Sequence, residues 1–303
     1  MLALLQTALA ITPVADGPWE HVQVQTASLS VHTLQAGPAD APAVVLLHGF
    51  PDASYAWRDV IPELSRDHRV IAPDLRGYGG TDKPKKGYEL DTLGNDVVEL
   101  LDALGLDTVD LVGHDWGAAI TWTAAYLAPE RFSSITVLNV PHPTALWETW
   151  QENPAQREYK KFANLMTFAL TPRILAGIDR EDRGPDVYMP ELVNDEVFDD
   201  AREDFYGELL NEVSETRPPL RYYKKNFNNW RKVWQRAEGF PDTTVPTLVL
   251  WGAQDSYMLV ENAARSCEHV SARCEVATHP EAAHWLHWEQ PSWVAEQWRA
   301  FTR

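Results

Sequence analysis

The stretch 108–127 constrains the fold more than any other. Thr108 to Val112 reads as a short buried strand and Ala118 to Leu127 as a helix, and only Gly113-His114-Asp115-Trp116-Gly117 joins them. A strand that enters a helix through a glycine-flanked polar residue must turn sharply. That turn lifts one side chain above the carboxyl edge of a parallel sheet. The side chain here is an aspartate. A serine in its place would attack carbonyl carbon, whereas a carboxylate suits displacement at saturated carbon and leaves a covalent ester on the chain.

Strand and helix signals alternate around this turn. His21 to Thr26 and Leu29 to Leu34 read as two early strands, and Ala43 to Leu47 as a continuous apolar run of buried-strand type. A helix with Trp57, Ile61 and Leu64 on one face follows, then the strand Arg69 to Ala72. Asp91 is the expected cap of a helix carrying Leu93, Val97, Leu100, Leu101 and Leu104, with Gly105 as its stop. Ser134 to Val140, Thr247 to Trp251 and Cys274 to Ala277 complete the strands, and Pro291 opens a final helix. The pattern predicts an α/β fold, a mostly parallel central sheet flanked by helices. From His142 to Trp234 the rhythm breaks into helical, aromatic and charged segments without a strand signal. The expected division is an extension over 1–19, a core formed by 20–141 and 235–303, and a helical cap over 142–234 that excludes water from the site.

Composition limits the partners. The net charge of −18 argues against nucleic acid or an anionic membrane surface. Hydrophobic content of 45% supplies a full core, and no apolar run is long enough to span a bilayer. The run Met1 to Ala10 is apolar with an Ala-x-Ala ending but has no basic start, so the cytoplasm is the expected compartment, with export left open. Cys267 and Cys274 flank a short connection, and free structural thiols are expected there. A homodimer is left open.

Three further loops fall at carboxyl ends of expected strands, where open α/β sheets bind their ligands. His48-Gly49-Phe50-Pro51-Asp52 turns the Phe50 N–H, together with that of Trp116, toward Asp115 as an oxyanion hole. Trp251 to Asp255 sets a carboxylate just past a strand, and His279 to Trp288 offers His284 as a base. The order Asp115, Asp255, His284 is that of nucleophile, acid and base in hydrolases with this kind of elbow.

These motifs, with Asp74-Leu75-Arg76-Gly77-Tyr78-Gly79 and Ala283-His284-Trp285 followed by Glu289-Gln290-Pro291, resemble the epoxide hydrolase branch of the α/β-hydrolase superfamily from about Glu20 onward. The resemblance implies a cis Phe50–Pro51 bond and structural roles for Asp74 and Arg76. It implies an epoxide and water as substrates, with no cofactor and no metal. Arg217 to Lys224 resembles the segment whose tyrosine donates to the epoxide oxygen, which assigns that role to Tyr223 and makes Tyr222 a packing neighbour. The family's second tyrosine aligns with Phe162, which cannot donate, and Tyr159 one turn away is the candidate substitute in substrate binding.

Each assignment has a plainer alternative. Asp115 also fits a helix cap, Asp255 a turn residue and Tyr223 a packing residue. His279 and His287 read as surface or supporting groups, and His48, His114 and His142 as hydrogen-bonded loop histidines without zinc spacing. Haloalkane dehalogenase is the rival chemistry, since Trp116 suits a halide, but Phe50 and the cap tyrosine do not. A hydrolase fold retired into a ligand receptor is the remaining alternative.

Overall fold

The computed structural model describes residues 16–157, 197–211, 213–227 and 230–303. Eight strands form one sheet in the order β1-β2-β4-β3-β5-β6-β7-β8. They are β1 (Glu20–Gln25), β2 (Ser30–Ala36), β3 (Ala43–Leu47), β4 (Arg69–Pro73), β5 (Val109–His114), β6 (Phe132–Leu138), β7 (Thr247–Gly252) and β8 (Cys274–His279). β2 runs antiparallel to both β1 and β4, and every other pair is parallel.

Strand burial follows position in the sheet. All five residues of β3 and all six of β7 are buried, because parallel strands carry helices on both faces. β8, at the edge, has no fully buried residue. The helices Leu90–Leu104 and Trp116–Leu127 pack on each other beside β5. The first ends at Gly105, whose φ of 67° is the left-handed stop expected there. Its start differs from expectation: Glu89 occupies the cap position and Asp91 lies within the first turn, where a carboxylate favours the dipole instead.

Between β6 and β7 the described residues hold helices only: Pro143–Glu152, Asp200–Asn211, Val213–Thr216, Leu220–Asn226 and Trp230–Glu238, with a short 3-10 turn at Pro154–Arg157. Arg202 ties this layer down. Its guanidinium pairs with Asp59 and lies 4.5 Å from the Trp288 ring centroid. Asp74 accepts from the backbone of Ser54 and Gly80 at 2.8 Å each, and Arg76 grips Asp96 with two 2.6 Å bonds.

The free-thiol expectation fails. The helix Glu261–Cys267 ends beside the start of β8, with the Cα atoms of Cys267 and Cys274 at 5.6 Å, within disulfide reach, and the two are bonded. No helix among the described residues is long and apolar enough to cross a membrane. The N-terminal run 1–15 and the cap positions Tyr159 and Phe162 lie outside the described residues.

Candidate active site

β5 delivers Asp115 as expected of a sharp turn. Its backbone has φ 50° and ψ −119°, a conformation L-residues rarely adopt, and the helix Trp116–Leu127 starts at the next residue. Two close approaches make this geometry possible. A Cβ on Gly117 would lie 2.3 Å from the Leu47 carbonyl oxygen, and one on Gly49 would lie 2.4 Å from the Asp115 Cβ. Both positions therefore exclude any side chain.

The turn after β3 approaches from the other side. The Phe50–Pro51 bond is cis, and the Phe50 N–H donates to Asp115 Oδ1 at 2.8 Å. The sequence expects a second donor in the Trp116 N–H, which belongs to the first turn of its helix, where backbone N–H groups have no partner within the helix.

His284 stands between two carboxylates. Its Nε2 is 3.6 Å from Asp115 Oδ2 and its Nδ1 is 2.8 Å from Asp255 Oδ2. The loop that carries it is held on three sides. The His114 Nε2–H donates to the His284 carbonyl at 2.8 Å, Glu289 accepts from the Ala283 N–H at 2.7 Å, and Gly252 sits too close to Ala283 for any Cβ. Asp255 is fixed more firmly still, accepting from the backbone of Tyr257 (2.7 Å) and Met258 (2.9 Å) and from Asn139 Nδ2 (2.6 Å).

Sequence reasoning missed Asn139. It is fully buried at the end of β6 with φ 58°, and it donates to both Asp255 and the Ala283 carbonyl (3.1 Å) while accepting from the Gly252 N–H (3.2 Å). The signal was available: a polar residue ending a strand at the carboxyl edge of a parallel sheet lies where sites are built. Sequence reasoning also read Asp52, His114 and His287 apart, and the structure gathers them. They are the one group of three metal-ligating side chains within mutual reach among the described residues.

The charges follow this wiring. Burial pushes the Asp115 carboxyl up, but the hydrogen bond and charge of His284 outweigh it and leave the group below its ordinary value. Burial likewise pushes the His284 imidazole down, and the charge of Asp255 with the hydrogen bonds to Asp115 and Asp255 raises it to about 10. At rest the site is thus an ion pair, with a carboxylate beside an imidazolium. His48 and His142 are neutral. Burial lowers each to about 4, and each pairs with the backbone.

Tyr223 lies in the helix Leu220–Asn226, buried against Phe50 and Trp116, which both border Asp115. Its ring centroid is 5.3 Å from that of Phe50 and 5.1 Å from that of Trp116, both edge-on. Tyr222 points elsewhere and donates to the Arg76 carbonyl at 2.8 Å. From Asp115 an apolar cavity of about 840 Å3, its open mouth included, extends past Trp122, Val140, Leu146, Phe240 and Met258.

This sheet order, elbow and histidine between two carboxylates are those of an α/β hydrolase, and the profile of the family described as alpha/beta hydrolase fold matches residues 42–291. Human epoxide hydrolase 4 is 31% identical over 286 residues, which cover 90% of this chain and 76% of that one. Epoxide hydrolase 3 of Xenopus tropicalis is 29% identical over 97% of this chain and 80% of its own length. The crystal structure of a Bacillus megaterium epoxide hydrolase in complex with an inhibitor superposes with a TM-score of 0.82 at 26% identity, covering 93% of this chain and 99% of that one. The chain belongs to the α/β-hydrolase superfamily, in its epoxide hydrolase branch.

Proposed function

We propose that the protein opens epoxides to vicinal diols through an alkyl ester on Asp115. The observation that carries this reading is one imidazole between two carboxylates, of which only Asp115 opens on the apolar cavity. The Asp115 carboxylate attacks an epoxide carbon, the C–O bond breaks, and the alkoxide takes a proton from Tyr223. His284 restores that proton to the phenol. Its release is favoured because esterification removes the negative charge of Asp115, one of the supports that held the imidazole protonated. His284 becomes a base only after the first step. It then takes a proton from water, the water oxygen adds to the ester carbonyl, and the N–H groups of Phe50 and Trp116 receive the developing charge. Collapse expels the second diol oxygen, which takes the proton from His284.

In this reading residues 142–234 form a cap over a core of 20–141 and 235–303, with 1–19 as an extension. Tyr159 remains the candidate for a second donor. Of the two compartments that the sequence leaves open, the Cys267–Cys274 bond favours the oxidising one. The test is one turnover of an aryl epoxide in heavy-oxygen water, followed by mass measurement of the peptide around Asp115. The label is expected in that carboxyl group, and diol formation without it refutes the ester.

A further inference from the structure

We propose that Asn226 is a positioning residue for the ring-opening step, which it serves by fixing Tyr223 beside Asp115. The inference rests on the role given to Tyr223 above and names what sets that side chain in place.

The helix that carries Tyr223 cannot hold its own position. Leu220–Asn226 has 7 residues, and a helix that short is unstable alone in water. Its side chains tie it to the core segment 76–90. Tyr222 donates to the Arg76 carbonyl at 2.8 Å, Arg221 donates to the Pro84 carbonyl at 2.9 Å, and Lys225 pairs with Glu89 at 3.1 Å. The last pair is exposed and contributes little.

Asn226 does more than any of these. Its Oδ1 accepts from the Leu90 N–H at 3.2 Å, and its Nδ2 donates to the Tyr88 carbonyl at 2.8 Å and to the Tyr222 carbonyl at 2.9 Å. Both amide protons are committed. The partners fix the orientation of the amide, since an N–H stands on one side and carbonyls on the other. The Tyr222 carbonyl belongs to the peptide bond that leads into Tyr223. One carboxamide therefore ties that peptide to the core.

The core end of this tie is coupled to the nucleophile. Leu90 opens the helix Leu90–Leu104, whose first N–H groups have no partner within the helix, and the cap residue Glu89 makes no side-chain bond to them. Asn226 supplies the acceptor from another element. That helix packs on Trp116–Leu127, which begins one residue after Asp115. Tyr223 and Asp115 are thus both referred to one pair of packed helices. The edge-on contacts of the Tyr223 ring with Phe50 and Trp116 tolerate a small slide of its helix. Proton transfer to the alkoxide does not, because a displacement of about 1 Å can slow a reaction about a hundredfold. The Asn226 side chain also borders the cavity, but with both protons on backbone carbonyls it has none to give the substrate. It acts through Tyr223.

The test follows ester formation from saturating styrene oxide, by rapid quench and intact mass, in four full-length proteins. All carry His284→Gln, so that the ester persists. One has no other change, and the rest add Asn226→Ala, Tyr223→Phe or both. Asn226→Ala is expected to slow ester formation about tenfold or more, and Tyr223→Phe at least as much. Once Tyr223→Phe is present, Asn226→Ala should slow it by less than about twofold further. That small residual effect would also certify the fold. Undiminished ester formation with Asn226→Ala overturns the inference. So does an equal loss with and without the Tyr223 hydroxyl, which would mean general damage to the site. The reading beneath it fails in other ways: no ester on the His284→Gln protein refutes the two-stage reaction, and undiminished formation with Tyr223→Phe removes the proton donor. Either result takes the role of Asn226 with it.

Discussion

Two aspartates face the same imidazole, and their surroundings make them different reagents. Asp255 accepts from two backbone N–H groups, from Asn139 and from His284, all within 2.9 Å, and its side chain is 1% exposed. Asp115 accepts one short bond, from Phe50, keeps its other oxygen 3.6 Å from His284, and is 16% exposed toward the cavity. A carboxylate whose lone pairs are all engaged orients its neighbour and is a poor nucleophile, because attack would first have to break those bonds. One with a free oxygen at the end of a strained turn is ready to attack. Residue type is the same in both, and hydrogen-bond saturation divides the roles.

Four experiments break or sharpen this division. Asp115→Asn should lower turnover by about 10⁶-fold, as loss of a nucleophile does, with no ester seen by intact mass. Measurable diol formation by a protein verified free of deamidation would remove Asp115 from its role. Asp255→Asn should cost about 10⁴-fold. There the ester should still form and then persist, and equal losses in both steps would mean that the two carboxylates do not divide the labour. Asn139→Ala takes one donor from Asp255 and one from the Ala283 carbonyl, a loss worth about 1–3 kcal/mol. Ester decay is therefore expected to slow by about ten- to a hundredfold, with the formation rate kept; unchanged decay would show that the backbone donors suffice. The smallest effect concerns stability. The folded-state pKa of His284 is raised, so its contribution is fully present below the ordinary value of 6.5 and is lost as pH rises toward about 10. The melting temperature of the parent should therefore fall over that interval by more than that of His284→Gln, and matching slopes would contradict the resting ion pair.

How much of this was legible in the sequence depends on how local each signal is. The elbow, the strands and the Gly105 stop were readable because apolar period and glycine placement act over a few neighbours. Each strand boundary fell within two residues of its expected place, and β6 is shifted by two at both ends. The meeting of Asp115, Asp255 and His284 was readable from loop order, since parallel strands bring their carboxyl ends together. Asn139 was not, because its partners lie more than a hundred residues away across β7 and the base loop. The Asp52, His114 and His287 cluster was hidden for the same reason, each member sitting next to a better-known motif. Lys83 is likewise held by a distant partner, Glu215 at 3.2 Å. The cysteine pairing depended on how close a helix end comes to a strand start, and spacing of seven residues does not encode that distance.

The crowding at Gly49 and Gly117 bears on how this protein can be re-engineered. Even one methyl group at either position would push into Asp115 or the β3 backbone, so diversity introduced there is expected to yield mostly inactive clones. Leu146, Val233 and Phe240 line the far wall of the cavity from helices and a turn beyond the sheet. A library confined to those three can reshape substrate preference while the reacting atoms keep their mutual distances.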